Sequence, residues 1–434
     1  MWRSGAGVVS VGSGFHGALA SAWWSPFAAP CSGQDGDADL KRQNPFQTSA
    51  GLNLREWVKV ALGVCLVVPV RLALAVSVVL VGTLLLLLTL VGCDASRPLS
   101  ARRQYAQSLV CRGTGALLCL SFGIYRVRTV GRRCEVGEAK LQVIAPHSTV
   151  MDPVVMSLVL QAPSSVGKAE ARRSLVGPFI AATQSIFVNR GDKGSRARVQ
   201  REINERARLD SPWQRPLAIF PEGTCTNRSA LIQFKKGAFE AGAPVQPVLM
   251  HWHWHNFDPA WTNGAPSRSF VLLRTLAQLF HSVTVEFLPV YVPSTQERAD
   301  PLLFASNVRA LMADRLGLPT SEHSYEDSFL AAVAAKHGLT PAKALPFSFA
   351  QLALLKPAAM SSAALYDRTK ALLLLFAKAP GMTPDAALSR EQFAAIAQLA
   401  ADDAKPLHWD QIAGPDAASV SFYQLLAAHL RRVQ

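Results

Sequence analysis

From Leu72 to Cys93 no residue is charged, and leucine and valine dominate. A helix needs about 20 apolar residues to cross a bilayer, so this run is long enough to span as one helix. No soluble core helix needs so many leucines and valines in a row. Val60 to Val70 is apolar as well, with Arg71 as the interruption. Counted from Val60, the alternative is a hairpin that enters and leaves one leaflet, with Pro69 and Arg71 near its turn or interface. An arginine at mid-bilayer costs a few kcal/mol, so Arg71 is expected to snorkel to an edge. Arg55 and Lys59 precede the segment, and Arg97, Arg102 and Arg103 follow it. Basic residues at both ends favour the hairpin slightly over the single span. Thr114 to Tyr125 is too short to span, and is expected at the interface or packed under the following domain.

The chain of 434 residues is half apolar and carries a formal net charge of +14. A basic surface suits lipid headgroups or the phosphates of a nucleotide-bearing substrate. Nucleic acid is not an expected partner, because no aromatic-basic binding module is visible. The cysteines Cys31, Cys65, Cys93, Cys111, Cys119, Cys134 and Cys225 are scattered without a C-x-x-C pair. They read as reduced, mostly buried thiols on a cytosolic domain.

Four regions follow. Residues 1–53 look poorly ordered, with at most a weak targeting signal. Asp35-Gly36-Asp37-Ala38-Asp39 fails as a calcium loop, lacking the glycine at the sixth place and the glutamate at the twelfth. Residues 54–125 are the membrane helix or hairpin. From 126 to 318 strands and helices alternate, which predicts an α/β domain. Leu141–Ala145, Leu217–Phe220, Gln246–Trp254 and Ser282–Tyr291 read as strands, Ala197–Leu209 and Phe270–Phe280 as helices. Residues 319–434 are expected to form a small all-helical domain. Leu388 and Val420 there could be the eighth residues of two EF-hand-like loops. The ligand positions would hold Gly381, Thr383, Asp385 and Gln392, or Ala413, Pro415, Ala417 and Gln424. Neither set supplies the oxygens calcium needs.

The chemistry gathers in two short motifs. His147 and Asp152 have four residues between them, and Phe220-Pro221-Glu222-Gly223-Thr224 follows an apolar strand further on. A histidine beside a carboxylate can take a proton from a hydroxyl and let its oxygen attack a carbonyl. Five positions along one helix would place the two side chains on different faces. They meet only if the intervening residues form an irregular turn, which Asp152 as N-cap and Pro153 at the first helical position permit. Arg196, Arg198, Arg201, Arg206 and Arg208 are expected to fan outward from a stripe of Val199, Ile203 and Ala207. In His251-Trp252-His253-Trp254-His255 the histidines share one strand face and the tryptophans the other. No metal is expected there, since the histidines spread too far and no fourth ligand is visible. An interfacial strand with tryptophan toward lipid is the expected reading.

H-x-x-x-x-D followed by Phe220-Pro221-Glu222-Gly223-Thr224-Cys225-Thr226-Asn227-Arg228-Ser229 resembles the glycerolipid acyltransferase superfamily. Gly242-Ala243-Pro244-Val245-Gln246-Pro247-Val248 and Val285-Glu286-Phe287-Leu288-Pro289-Val290-Tyr291 narrow the resemblance to its lysophosphatidylcholine acyltransferase branch. The likeness runs roughly from Asn44 to Leu330. It implies a mixed sheet flanked by helices and a membrane-bound enzyme acylating a lysophospholipid, lysophosphatidylcholine first. Acyl-CoA is the implied co-substrate, and no cofactor is required. By the same resemblance His147 is the base and Asp152 its partner. Arg190 contacts substrate phosphate, and Glu222, Gly223 and Thr224 hold the glycerol phosphate. Glu222 is expected to orient Arg190 or another donor, or to bind a glycerol hydroxyl. Asn227 and Arg228 add donors, and Pro247 helps shape the acyl pocket. Backbone amides near Gly223 or His147 are candidates for the oxyanion donor. The expected location is the endoplasmic reticulum membrane, with the catalytic domain facing the cytosol. Two other functions compete: acylation of lysophosphatidic acid or glycerol 3-phosphate, and a catalytically silent membrane scaffold.

Overall fold

The computed structural model describes residues 8–10, 44–46, 54–189, 192–254, 257–262, 267–336, 362–378, 388–391, 393, 419–420 and 425. The apolar stretch forms α1 (Leu54–Leu66) and α2 (Val68–Leu90). The Val67 amide bonds the Gly63 carbonyl at 2.9 Å and the Arg71 amide bonds the Val67 carbonyl at 3.1 Å. The path therefore stays helical past Pro69, and the chain does not reverse where the hairpin alternative placed its turn. It returns one helix later, through residues 91–100 into α3 (Ala101–Ser121), which packs along α2. Gly82 sets that crossing, since a Cβ there would lie 2.6 Å from Thr114 Oγ1. Thr114 to Ser121 is thus the end of a packed helix lying under the next domain. Among the described residues α2 is the helix long and apolar enough to cross a membrane. Leu80, Val81, Leu84, Leu85 and Leu88 stay exposed on it.

The α/β domain follows as β2 (Ile124–Val130), β3 (Leu141–Ala145), α4 (Asp152–Val159), β4 (Ser164–Lys168), α5 (Gly177–Ala182), β5 (Ile186–Val188), α6 (Lys193–Ala207), β6 (Leu217–Ile219), β7 (Val245–His253), α7 (Arg268–Ala277), β8 (His281–Phe287), α8 (Thr295–Ala299) and α9 (Pro301–Leu316). With β1 (Val8–Ser10), the sheet order is β1-β2-β8-β7-β3-β6-β4-β5. β7, β3, β6, β4 and β5 run parallel, β8 is antiparallel to β7, β2 parallel to β8, and β1 antiparallel to β2. Alternation along the strands serves two cores. Leu141, Val143 and Ala145 pack with Val199, Ile203 and Phe304 on one face. Ile144 packs with Met151, Val155, Val248, Met250 and Trp252 on the other. The mixed α/β sheet and all four expected strands are present, each within a few residues of its expected limits.

Three expectations fail on packing. Arg71 does not snorkel. It is buried, and donates to the carbonyls of Leu276 (2.8 Å), Gln278 and Leu279 (3.0 Å) and to the Tyr125 hydroxyl (3.0 Å). Carbonyls at and beyond the end of α7 have no helical partner, and the guanidinium satisfies them. Arg206 turns inward from the basic helix α6, 3.8 Å above the Trp213 ring and bonded to the Gln184 carbonyl. Arg196, Arg198, Arg201 and Arg208 do face outward, over buried Val199, Ile203 and Ala207. Third, Trp252 does not face lipid: its indole is buried in the core, 4.8 Å from the Trp254 ring.

Residues directly after 318 lie on the α/β domain. Thr320 bridges Leu231, and the Gln233 amide donates to the His323 carbonyl at 2.8 Å. Next comes α10 (Tyr325–Lys336), packed against α11 (Ser362–Lys378). Beyond these, Leu388 and Val420 exchange backbone hydrogen bonds of 2.8 and 3.0 Å, pairing the eighth positions of the two candidate loops. The eight would-be calcium positions lie outside the described residues, as do Cys31, Asp35–Asp39 and His255.

Candidate active site

β3 and β6 are parallel neighbours, with Leu141 opposite Leu217 and Val143 opposite Ile219. Their C-terminal ends therefore deliver the two motifs to the same edge, where open α/β sheets bind ligands. After Ala145 the chain passes through an irregular turn, and α4 starts at Asp152 with Pro153 in its first turn. Met151, not Asp152, is the cap residue. The Asp152 side chain points back along the turn instead of forward into the helix. Its Oδ2 accepts from His147 Nδ1 (2.8 Å), Ser148 N (2.7 Å) and Thr149 N (3.0 Å), and its Oδ1 from Trp252 Nε1 (2.7 Å). The pair thus meets through the irregular turn that the spacing demanded. Asp152 is fully buried, while the His147 side chain keeps 19% exposure.

His147 stacks on Phe220 with ring centroids 4.2 Å apart, and Cys225 is a neighbour of the imidazole. Burial disfavours the imidazolium. The neighbouring Cys225 and Asp152 outweigh it, so the His147 pKa sits well above its ordinary value.

Glu222 does not orient an arginine among the described residues. Its Oε2 accepts the His147 amide at 2.7 Å, while Oε1 is buried without a hydrogen bond of good geometry among the described residues. Burial lifts this carboxyl to about 7, against the opposing pull of the His147 amide and ring. The second motif therefore braces the backbone of the first. Gly223 turns with φ +69, and any Cβ there would lie 3.1 Å from Lys235 Cε and 3.6 Å from the Tyr325 ring. Thr224 Oγ1 lies 3.1 Å from Ser328 Oγ on α10.

The other expected residues that are described have partners of their own. Asn227 donates from Nδ2 to the Asn44 carbonyl (3.0 Å) and from its amide to that of Pro45 (2.8 Å), fastening residues 44–46. Arg228 pairs with Asp258 at 3.0 Å and lies 5.2 Å over Trp254. Pro247 stands mid-strand opposite Val143, four residues short of His147. Arg190 lies outside the described residues. Several amides near Gly223 and His147 are engaged: His147 on Glu222, Ser148 and Thr149 on Asp152, Gly223 on the Phe220 carbonyl, Thr226 on the His147 carbonyl. His251 bonds Glu286 and His253 bonds Thr284, each at 3.1 Å.

Sequence reasoning missed two contacts. Cys225 was visible inside the quoted run, one residue past Thr224. Trp252 was placed on the correct strand face but given the wrong neighbour. β7 continues from Leu249, which pairs with Ala145, to His253, and so reaches over the start of α4.

An acyltransferase family model matches residues 129–251, the stretch that carries both motifs. Residues 129–251 thus carry an acyltransferase domain of this family. Within it the chain resembles lysophosphatidylcholine acyltransferases. It is 37% identical over 303 residues to lysophosphatidylcholine acyltransferase 1 of Danio rerio, covering 69% of this chain and 58% of that protein. Against lysophosphatidylcholine acyltransferase 1 of Homo sapiens it is 36% identical over 335 residues, 75% of this chain and 62% of that protein. Lysophosphatidylcholine acyltransferase 2 of Rattus norvegicus is 38% identical over 287 residues, with coverage of 65% and 52%. The chain thus spans about three fifths or less of the length of these curated relatives.

Proposed function

We propose that this chain is a membrane-bound acyl-CoA:lysophospholipid O-acyltransferase, with lysophosphatidylcholine as its first acceptor. The observation that carries the reading is the 2.8 Å bond between His147 Nδ1 and buried Asp152, at the end of parallel strands. With Nδ1 committed to the carboxylate, Nε2 is the nitrogen that takes the proton of the lysolipid hydroxyl. The freed oxygen attacks the thioester carbonyl of acyl-CoA and forms the new ester bond. The carbon–sulfur bond breaks, and coenzyme A leaves as the thiolate and takes up the proton held by His147, which returns the imidazole to its neutral form. The substrate's own oxygen is the nucleophile, so no enzyme side chain is acylated and no cofactor is needed. Arg190, Gly223 and Thr224 are proposed substrate contacts. Glu222 is assigned to bracing His147, and Asn227, Arg228 and Pro247 to supporting the site. The exposed apolar face of α2 would seat the chain in a bilayer, with the endoplasmic reticulum and a cytosol-facing site as the expected setting.

The test is acyl transfer from labelled acyl-CoA to a panel of lysophosphatidylcholine, lysophosphatidic acid and glycerol 3-phosphate. Wild type should acylate lysophosphatidylcholine best, and His147→Ala should abolish transfer. Equal transfer by the two proteins would leave a membrane scaffold as the better reading.

A further inference from the structure

We propose that Trp252 is a positioning residue for the His147–Asp152 base, acting through the carboxylate oxygen that the histidine does not touch. The inference rests on the acyl-transfer reading for its kinetic consequence, but the arrangement stands on geometry alone.

Asp152 is fully buried, and its two oxygens are treated unequally. Oδ2 is held by the imidazole and two backbone amides, all from the turn that carries His147. Among the described residues Oδ1 has one donor, the Trp252 indole, at 2.7 Å. That donor comes from a different element, β7. An indole N–H only donates, and it cannot swap roles as a hydroxyl or an amide can. It therefore pins the rotation of the carboxylate: Oδ1 to the indole, Oδ2 to the imidazole. The indole is itself held firmly. Trp252 is 8% exposed, its ring stacks on Trp254 with an interplanar angle of 9°, and its strand is paired with β8 at Val283.

The bond has an electrostatic side as well. As His147 accepts the substrate proton, positive charge develops opposite Asp152. The indole draws part of the carboxylate charge toward Oδ1 and away from the imidazole. Without it, two things follow. The carboxylate gains rotational freedom, which misorients His147 and lowers kcat. More negative charge also faces the imidazolium and stabilises it. The base then becomes neutral only at higher pH, so the acidic limb of kcat/KM moves upward.

Trp252→Phe tests this on the full chain, because it keeps the stacked ring and removes the N–H. With lysophosphatidylcholine and labelled acyl-CoA, kcat should fall about tenfold, the size of one lost charge-assisted hydrogen bond. KM should stay within about twofold, and the acidic limb should rise by on the order of half a pH unit. Trp254→Phe is the control. The Trp254 indole N–H has no hydrogen-bond partner among the described residues, so its loss should leave the limb in place. Adding Trp252→Phe to Asp152→Asn should cost nothing further if the indole acts through Asp152. A limb that does not move, or a double variant that falls below Asp152→Asn as far as Trp252→Phe falls below wild type, overturns the proposal. The limb position reads only folded enzyme, so partial unfolding cannot imitate the shift. The same shift should appear without turnover, as a rise in the pH midpoint for diethylpyrocarbonate modification of His147 in Trp252→Phe. If His147→Ala shows the acyl-transfer reading to be wrong, that midpoint still decides the role of Trp252.

Discussion

Glu222 holds the His147 amide, and His147 in turn opposes the upward shift that burial gives the Glu222 carboxyl. Asp152 and Cys225 hold the imidazole toward its charged form against burial, while burial holds Glu222 toward its neutral form at about 7. The consequence for stability has a definite sign. The folded pKa of Glu222 lies above its ordinary value of 4.5, so the folded protein keeps a proton that the unfolded chain has released. This contribution is fully present below pH 4.5 and is lost as pH rises through about 7. Glu222→Gln removes the titration and keeps an oxygen for the His147 amide. We expect the variant to be more stable than wild type above pH 7, by on the order of 1–3 kcal/mol, and no more stable near pH 4.5. Thermal unfolding of both proteins across that range checks it, and parallel curves would contradict it.

At the level of elements, the site exists because β3 and β6 are parallel neighbours, and the apolar helices are fixed to the domain by polar bonds. Arg71 on α2 gathers the carbonyls of Leu276, Gln278 and Leu279 at the end of α7. Gln184 does the same for the returning loop, donating to the carbonyls of Ala95 (2.9 Å) and Arg97 (2.7 Å). Arg71→Leu keeps the bulk of the side chain and strands those carbonyls. It should lower stability by about 3 kcal/mol, since each buried unsatisfied group costs about 1–3 kcal/mol. Chemical denaturation in detergent measures this, and a change under 0.5 kcal/mol, the usual scatter of surface substitutions, would show that the carbonyls find other partners.

On the scale of the whole molecule, the C-terminal region begins as part of the site's support. Tyr325 lies under Lys235 at 3.6 Å, Glu326 pairs with the same lysine at 3.6 Å, and Ser328 meets Thr224. A chain ending at residue 378 keeps α10 and α11 and should retain acyl transfer. A chain ending at residue 318 loses both, and should fall by about a hundredfold as the Gly223 turn loosens. Equal activity of the two would show that the turn stands unaided. Much of this architecture was legible in the chain. The uncharged run fixed an apolar helix, alternation fixed the strands, and the His147–Asp152 spacing required an irregular turn, because each of these is set by residues close together in sequence. What lies far apart was decided by packing. The tryptophan face of β7 could be read from its period, but not that it would meet Asp152. The charge of Arg71 was plain, but not the carbonyls waiting some two hundred residues away. The spacing of the two motifs was plain too, yet only the parallel register of β3 with β6 turned Glu222 onto the His147 amide. Local pattern sets the conformation of each segment. Which segments become neighbours is settled only when the whole core closes.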